Sequence, residues 1–129
     1  MRTRAVLLGA MAKKTHTGGC HCKAVRFEVD LDVSEPALTC NCSICSKTGM
    51  LLAFTGVERF RLHSGEDALT DYQFGKKRIH HLFCRSCGVR SFGRGKGPDG
   101  KEMRAINVRC LEGVDVAGLE LYPFDGKSM

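Results

Sequence analysis

The cysteines constrain this chain more than any other feature. It has eight in 129 residues, and seven of them fall into three tight groups. The groups are Cys20-His21-Cys22, Cys40-Asn41-Cys42-Ser43-Ile44-Cys45 and Cys84-Arg85-Ser86-Cys87, the last followed at once by Gly88. Cys110 stands apart. Thiols spaced as C-x-C and C-x-x-C make poor structural disulfides and good bidentate clamps for a metal ion. A disulfide framework would also need a secretory route. Arg2 and Arg4 precede an apolar stretch from Ala5 to Ala12 that sits at the short limit for a signal peptide and runs into Lys13 and Lys14. No stretch approaches the roughly 20 apolar residues of a membrane helix. The expectation is a soluble, cytoplasmic, metal-binding protein.

The length fits one domain with a modest core. The 15 glycines indicate many turns, and a small core with many turns gains from a metal staple. Residues 1–15 read as a poorly ordered leader, with Met11 as a possible start, and residues 16–129 as a single zinc domain. Gly18 and Gly19 read as a freely moving approach to the first cluster. From Ala24 to Leu31 the alternation is clean: Val25, Phe27, Val29 and Leu31 face one way, Arg26, Glu28, Asp30 and Asp32 the other. That pattern is a half-buried antiparallel strand. Shorter strands are expected at Leu38–Thr39, Met50–Thr55, Phe60–Leu62, Leu69–Phe74, Ile79–Phe83, Val89–Phe92, Arg104–Cys110 and Leu119–Tyr122, the last stopped by Pro123. A single tight turn is expected to end at Gly49, and Gly93 to Gly100 reads as a flexible loop. No segment sustains helical periodicity over ten residues. The fold class is mainly β.

A C-x-x-C-G turn is a zinc knuckle: two sulfurs converge, backbone N–H groups donate to them, and the glycine allows a left-handed turn. Cys84, Cys87 and Gly88 fit it. Cys20 and Cys22 can complete a closed four-thiolate site with them. Cys40, Cys42 and Cys45 can then share a second ion with its fourth position open, which is the catalytic arrangement of zinc. A second pairing joins one knuckle from the middle cluster to the third and leaves the first spare, as in a zinc ribbon. Spacing alone leaves both pairings open. Zinc suits these ligands better than an iron–sulfur cluster.

The formal charge of +6 invites a nucleic-acid reading. Seven thiolates and two Zn²⁺ ions together carry −3, which lowers it to about +3. Few aromatics interleave with the basic residues, so nucleic acid is disfavoured. The five histidines read as packed or solvated side chains, because cysteines already fill the metal sites. Cys110 reads as a small buried hydrophobe. Gly93 to Gly100 lacks the context of a phosphate-binding loop.

The three cysteine groups in their settings resemble one family. The stretches are Gly19-Cys20-His21-Cys22-Lys23-Ala24-Val25-Arg26-Phe27, Cys40 through Gly49, and Phe83-Cys84-Arg85-Ser86-Cys87-Gly88, with the tail segments Ile106 to Leu111 and Phe124-Asp125-Gly126. They are similar to the GFA family of glutathione-dependent formaldehyde-activating enzymes and centromere protein V, over roughly residues 16–126. The resemblance implies a β-tent of small antiparallel sheets stapled by zinc. It implies a structural zinc on Cys20, Cys22, Cys84 and Cys87 and a catalytic zinc on Cys40, Cys42 and Cys45. It implies carbon–sulfur lyase chemistry that makes or breaks S-(hydroxymethyl)glutathione. Lys23 departs from the family, which often has Gly there.

The expected function is a zinc-dependent lyase acting on an adduct of glutathione or another small thiol. The alternative is a zinc-stabilised binding module without catalysis. Lys47 and Arg90, each within a few residues of a cluster, are the candidates for holding the carboxylates of glutathione.

Overall fold

The computed structural model describes residues 13–128. Ten strands form three sheets. The first has the order β1 (Lys14–Gly19), β2 (Arg26–Leu31) and β5 (Phe60–Ser64). The second has five strands: β10 (Leu121–Phe124), β3 (Ala37–Cys40), β4 (Leu52–Gly56), β9 (Glu102–Asn107) and β8 (Phe92–Lys96). The third is a hairpin of β6 (Leu69–Tyr72) and β7 (His81–Cys84). The architecture is mainly β in small sheets, as the sequence implies. One pair departs from the antiparallel rule: β10 runs parallel to β3, with Phe124 opposite Cys40.

Alternation places β2 as expected. Phe27, Val29 and Leu31 are buried and the residues between them are half-buried. Val25 just ahead of the strand is fully buried. Three rings then join the sheets. Phe27 on β2, Phe60 on β5 and Phe92 on β8 lie with centroids 4.7–5.9 Å apart, a spacing at which tilted and edge-on rings attract. Ile106 and Val108 complete this core.

Four expectations need correction. The first strand begins at Lys14, inside the segment read as leader, and pairs with β2 from Lys14↔Leu31 to Gly19↔Arg26. Its sequence is polar and carries no alternation; the partner strand imposes the conformation. Residues 1–12, where the proposed Met11 start falls, lie outside the described residues. Second, Phe92–Lys96 is strand β8, and the hairpin turn is confined to Gly97–Lys101, closed by Gly97 N–H to Lys101 O at 2.8 Å. Gly93 serves close approach here: a Cβ on it would stand 3.0 Å from the His80 carbonyl oxygen. Third, β9 ends at Asn107, whose side chain accepts from the Arg109 N–H at 3.2 Å and turns the chain into a short 3₁₀ segment, Val108–Cys110. Fourth, Pro123 lies within β10. An edge strand tolerates a residue without an N–H.

Candidate metal centres and the cavity beside them

Local geometry builds each cluster. Cys20 and Cys22 sit in the turn between β1 and β2, closed by Cys20 N–H to Val25 O at 3.1 Å and Lys23 N–H to Cys20 O at 3.2 Å. Lys23 occupies the left-handed region at φ 69°, a conformation that strains a residue with a Cβ and that glycine adopts freely. Cys84 ends β7, and Gly88 takes φ +78° after Cys87, the left-handed turn a knuckle requires.

These two turns bring Cys20, Cys22, Cys84 and Cys87 together. Their sulfurs all lie within 4.8 Å of one another, with Cys20–Cys22 and Cys22–Cys84 at 3.6 Å. A tetrahedral ion with arms of about 2.3 Å sets its ligands about 3.8 Å apart. The four sulfurs therefore fit one metal ion. Backbone donors point at them: Val25 N–H reaches Cys20 Sγ at 3.3 Å and Ser86 N–H reaches Cys84 Sγ at 3.4 Å. The N–H groups of Cys22 and Val89 hold the Cys87 thiol down to about 6. Those of Cys87 and Ser86 lower Cys84. The Ala24 N–H favours the Cys22 thiolate, but proton sharing with Cys20 and Cys84 outweighs it and pushes that thiol up to about 11. The cluster thus holds its negative charge unevenly until a cation lets every sulfur ionise.

The middle cluster is local. Cys40 ends β3, and Cys45 opens the four-residue helix α1 (Cys45–Thr48), which stops at Gly49. Cys40, Cys42 and Cys45 hold their sulfurs within the same 4.8 Å limit and are half-buried. The N–H groups of Cys42 and Cys45 face Cys40 Sγ and Cys42 Sγ, each at 3.5 Å. Burial works against ionising Cys42, yet the Cys45 N–H and the neighbouring thiols lower it. Burial first, then proton donation to Cys42, push Cys45 up to about 12. Three sulfurs fit an ion and leave one side of it free.

A cavity of about 200 Å³ opens on that side. The three cysteines line it together with Leu38, Leu52, Phe54, Ile79 and Phe92. Arg90 and His81 also line it. Arg90 Nη1 is buried without a hydrogen-bond partner among the described residues, and its guanidinium stands 5.2 Å over the Phe83 ring. Burial, followed by the charge of Arg90, lowers the pKa of His81. Within the middle cluster, Asn41 grips the segment 125–127. Its Nδ2 donates to Asp125 Oδ1 at 2.9 Å, and its Oδ1 accepts from Lys127 N–H at 2.8 Å. Gly126 is thereby pressed so close that a Cβ would lie 2.5 Å from Cys40 Sγ.

Of the residues singled out in the sequence, the structure brings the seven clustered cysteines into two groups and sets Arg90 beside the middle one. Lys47 lies exposed in the last turn of α1 and does not line the cavity. Cys110 joins neither group; its Sγ meets the Arg90 carbonyl at 3.8 Å, and burial raises it to about 11. No histidine takes part in either group among the described residues. His63 pairs with Glu28 and His80 with Asp71. Nothing in the local sequence sets His81 in the cavity or the tail against Cys40. The alternation of β7 carried the only local hint for His81, since it puts His81 and Phe83 on the face opposite buried Leu82 and Cys84. No helix among the described residues is long and apolar enough to cross a membrane.

Two comparisons bear on this geometry. A crystal structure of a Rhodobacter sphaeroides protein superposes with a TM-score of 0.73 at 36% sequence identity, covering 83% of this chain and 97% of that one. The family model for the glutathione-dependent formaldehyde-activating enzyme, GFA, matches residues 15–118. With both cysteine groups, each able to hold a metal ion, inside that span, the chain belongs to the GFA family.

Proposed function

We propose that the protein is a zinc-dependent carbon–sulfur lyase acting on a carbonyl adduct of glutathione or a similar small thiol, such as S-(hydroxymethyl)glutathione. The observation that carries this reading is the coincidence of a three-sulfur cluster with a cavity holding a guanidinium whose Nη1 has no partner among the described residues. Four cysteines, Cys20, Cys22, Cys84 and Cys87, would hold a structural zinc. Cys40, Cys42 and Cys45 would hold the catalytic one. When bound there, zinc supplies Lewis acidity and makes a thiol ionise near neutral pH.

The chain's own residues supply the rest. Arg90 can receive a substrate carboxylate in a charge-assisted pair. Leu38, Leu52 and Phe92 give the cavity an apolar wall that limits water at the reacting carbon, which strengthens every charge interaction within. Lys47, outside the cavity, would meet only a part of the substrate that extends beyond it.

The test joins metal analysis with calorimetry. Freshly reduced protein is expected to hold about two zinc ions per chain, one per cysteine group, and to bind glutathione. Cys42→Ser should lose one zinc, thiol binding and turnover of S-(hydroxymethyl)glutathione together. Arg90→Gln should weaken glutathione binding by about 10-fold or more, the effect of losing one charge-assisted hydrogen bond. Unchanged turnover in Cys42→Ser would sink the enzyme reading. One zinc with no thiol binding in the wild type would favour a non-catalytic module.

A further inference from the structure

We propose that His81 carries the proton between the sulfur and the carbonyl oxygen of the substrate in the cavity of Cys40, Cys42 and Cys45. The inference rests on the lyase reading above and names a residue for a proton that reaction must move.

Position comes first. His81 and the three sulfurs line one cavity, yet His81 makes no hydrogen bond to any of them. Its ring is held by packing: it stacks on Phe74 at 5.2 Å and 18°, and faces Tyr72, its register partner across the hairpin, at 6.4 Å. Packing of this kind fixes the ring plane and leaves the nitrogens free. His80 is the contrast. Its Nδ1 is engaged by Asp71 at 2.5 Å and Gln73 at 2.7 Å. His63 is likewise tied to Glu28, at 2.9 Å. Neither ring nitrogen of His81 is engaged within the described residues, so in the cavity it is the imidazole with both positions available.

Charge comes second. The groups that face His81 are Arg90 from the stretch before β8, Asp71 on β6, its neighbour His80, and the thiols across the cavity. Burial and Arg90 oppose its protonation, with Asp71 acting the other way and His80 adding to Arg90. The free protein thus presents a neutral imidazole, which can accept a proton. Substrate reverses the balance. A carboxylate on Arg90 cancels the nearest positive charge, and a substrate thiolate adds a negative one beside Cys40, Cys42 and Cys45. Both changes favour the imidazolium. One side chain is then a base before addition and an acid after it.

The step balances without redox chemistry. In the adduct-forming direction the S–H bond breaks and its proton passes to a ring nitrogen of His81. The sulfur lone pair forms the S–C bond, the C=O π pair moves to oxygen, and the imidazolium returns the proton to that oxygen. The product is the hydroxyalkyl thioether. Lyase turnover runs the same path backwards: His81 takes the hydroxyl proton, the S–C bond breaks, and the thiol is reprotonated.

The experiment counts protons. Zinc-loaded protein is titrated with glutathione at neutral pH by calorimetry, in two buffers of different ionisation enthalpy. Wild type should release almost no proton to the buffer, because His81 keeps it. His81→Gln should release about one proton per thiol bound, the full count for a thiol taken up as thiolate. In turnover of S-(hydroxymethyl)glutathione, His81→Gln should lower kcat by roughly 10²–10⁴-fold, the usual worth of a positioned acid–base group, with KM little changed. His81→Ala should regain rate on addition of free imidazole, a response that a purely structural role would not give. Equal proton release from wild type and His81→Gln, or a kcat unaffected by the substitution, overturns the role of His81 while leaving the lyase reading intact. A wild type that binds no thiol overturns both.

Discussion

Removing one clamp from each metal site should harm the fold unequally, and the structure sets the size of the difference. Cys22 and Cys84 are 62 positions apart. An ion joining them acts on the unfolded chain as a cross-link closing that loop, which removes conformational entropy equivalent to about 4 kcal/mol. Cys40, Cys42 and Cys45 span a single local turn, and the same reasoning gives only about 2 kcal/mol. Burial widens the gap: Cys84 is 0% exposed in the core, so a serine hydroxyl there without a partner adds about 1–3 kcal/mol, whereas the middle thiols are only half-buried. Against a total stability of about 5–15 kcal/mol, loss of the first site takes a large share. At roughly 3–5 °C per kcal/mol for a domain of this size, the combined loss of about 5–7 kcal/mol means that Cys84→Ser/Cys87→Ser should lower Tm by roughly 15–35 °C or leave the chain unfolded. Cys40→Ser/Cys42→Ser, at about 2 kcal/mol, should lower it by roughly 6–10 °C and preserve the β signature. The assay is thermal denaturation followed by far-ultraviolet circular dichroism, with zinc released to a colorimetric chelator measured in parallel. In wild type the chelator should strip one zinc before any loss of structure and the second together with unfolding. Equal destabilisation by the two double variants, or both zinc ions leaving a folded chain, would refute the division into a structural and an open site.

Two further substitutions probe the approaches to these sites. Gly126→Ala pushes a methyl group toward Cys40 Sγ, which lies 2.5 Å from the ideal Cβ position; it should lower occupancy of the middle site and lower Tm by no more than the roughly 6–10 °C that losing that ion costs, as read by zinc stoichiometry and melting on the same sample. Lys23→Gly relieves a left-handed lysine at φ 69°. It recovers about 1–2 kcal/mol of backbone strain and loses about 0.5–1 kcal/mol to added freedom in the unfolded chain. A net gain of about 0.5–1 kcal/mol in chemical denaturation is expected, without change in zinc content.

What the sequence discloses follows from the range over which each signal acts. Cys40, Cys42 and Cys45 lie within one turn, so their spacing alone shows that they can share an ion. The alternation of Val25, Phe27, Val29 and Leu31 is equally local, and β2 stands where it predicts. The pairing of Cys20 and Cys22 with Cys84 and Cys87 is not local; spacing allowed it, family resemblance assigned it, and the folded chain brings the four sulfurs together. Polar Lys14–Gly19 has no strand pattern of its own and becomes β1 because β2 offers it an edge. Glycines misled for a physical reason: one residue type serves both mobility and close approach, and at Gly93 the nearby His80 carbonyl requires the second. The open side of the middle cluster is the extreme case. Its walls come from β3, β4, β7, β8, β9 and β10, elements far apart in the chain. No single segment therefore announces His81 and Arg90 as neighbours of those sulfurs. The candidate ligands of such a site are written in short spacings; Arg90 is marked in the sequence only by its nearness to Cys87, and that it and His81 stand beside Cys40, Cys42 and Cys45 is written in the pairing of the sheets.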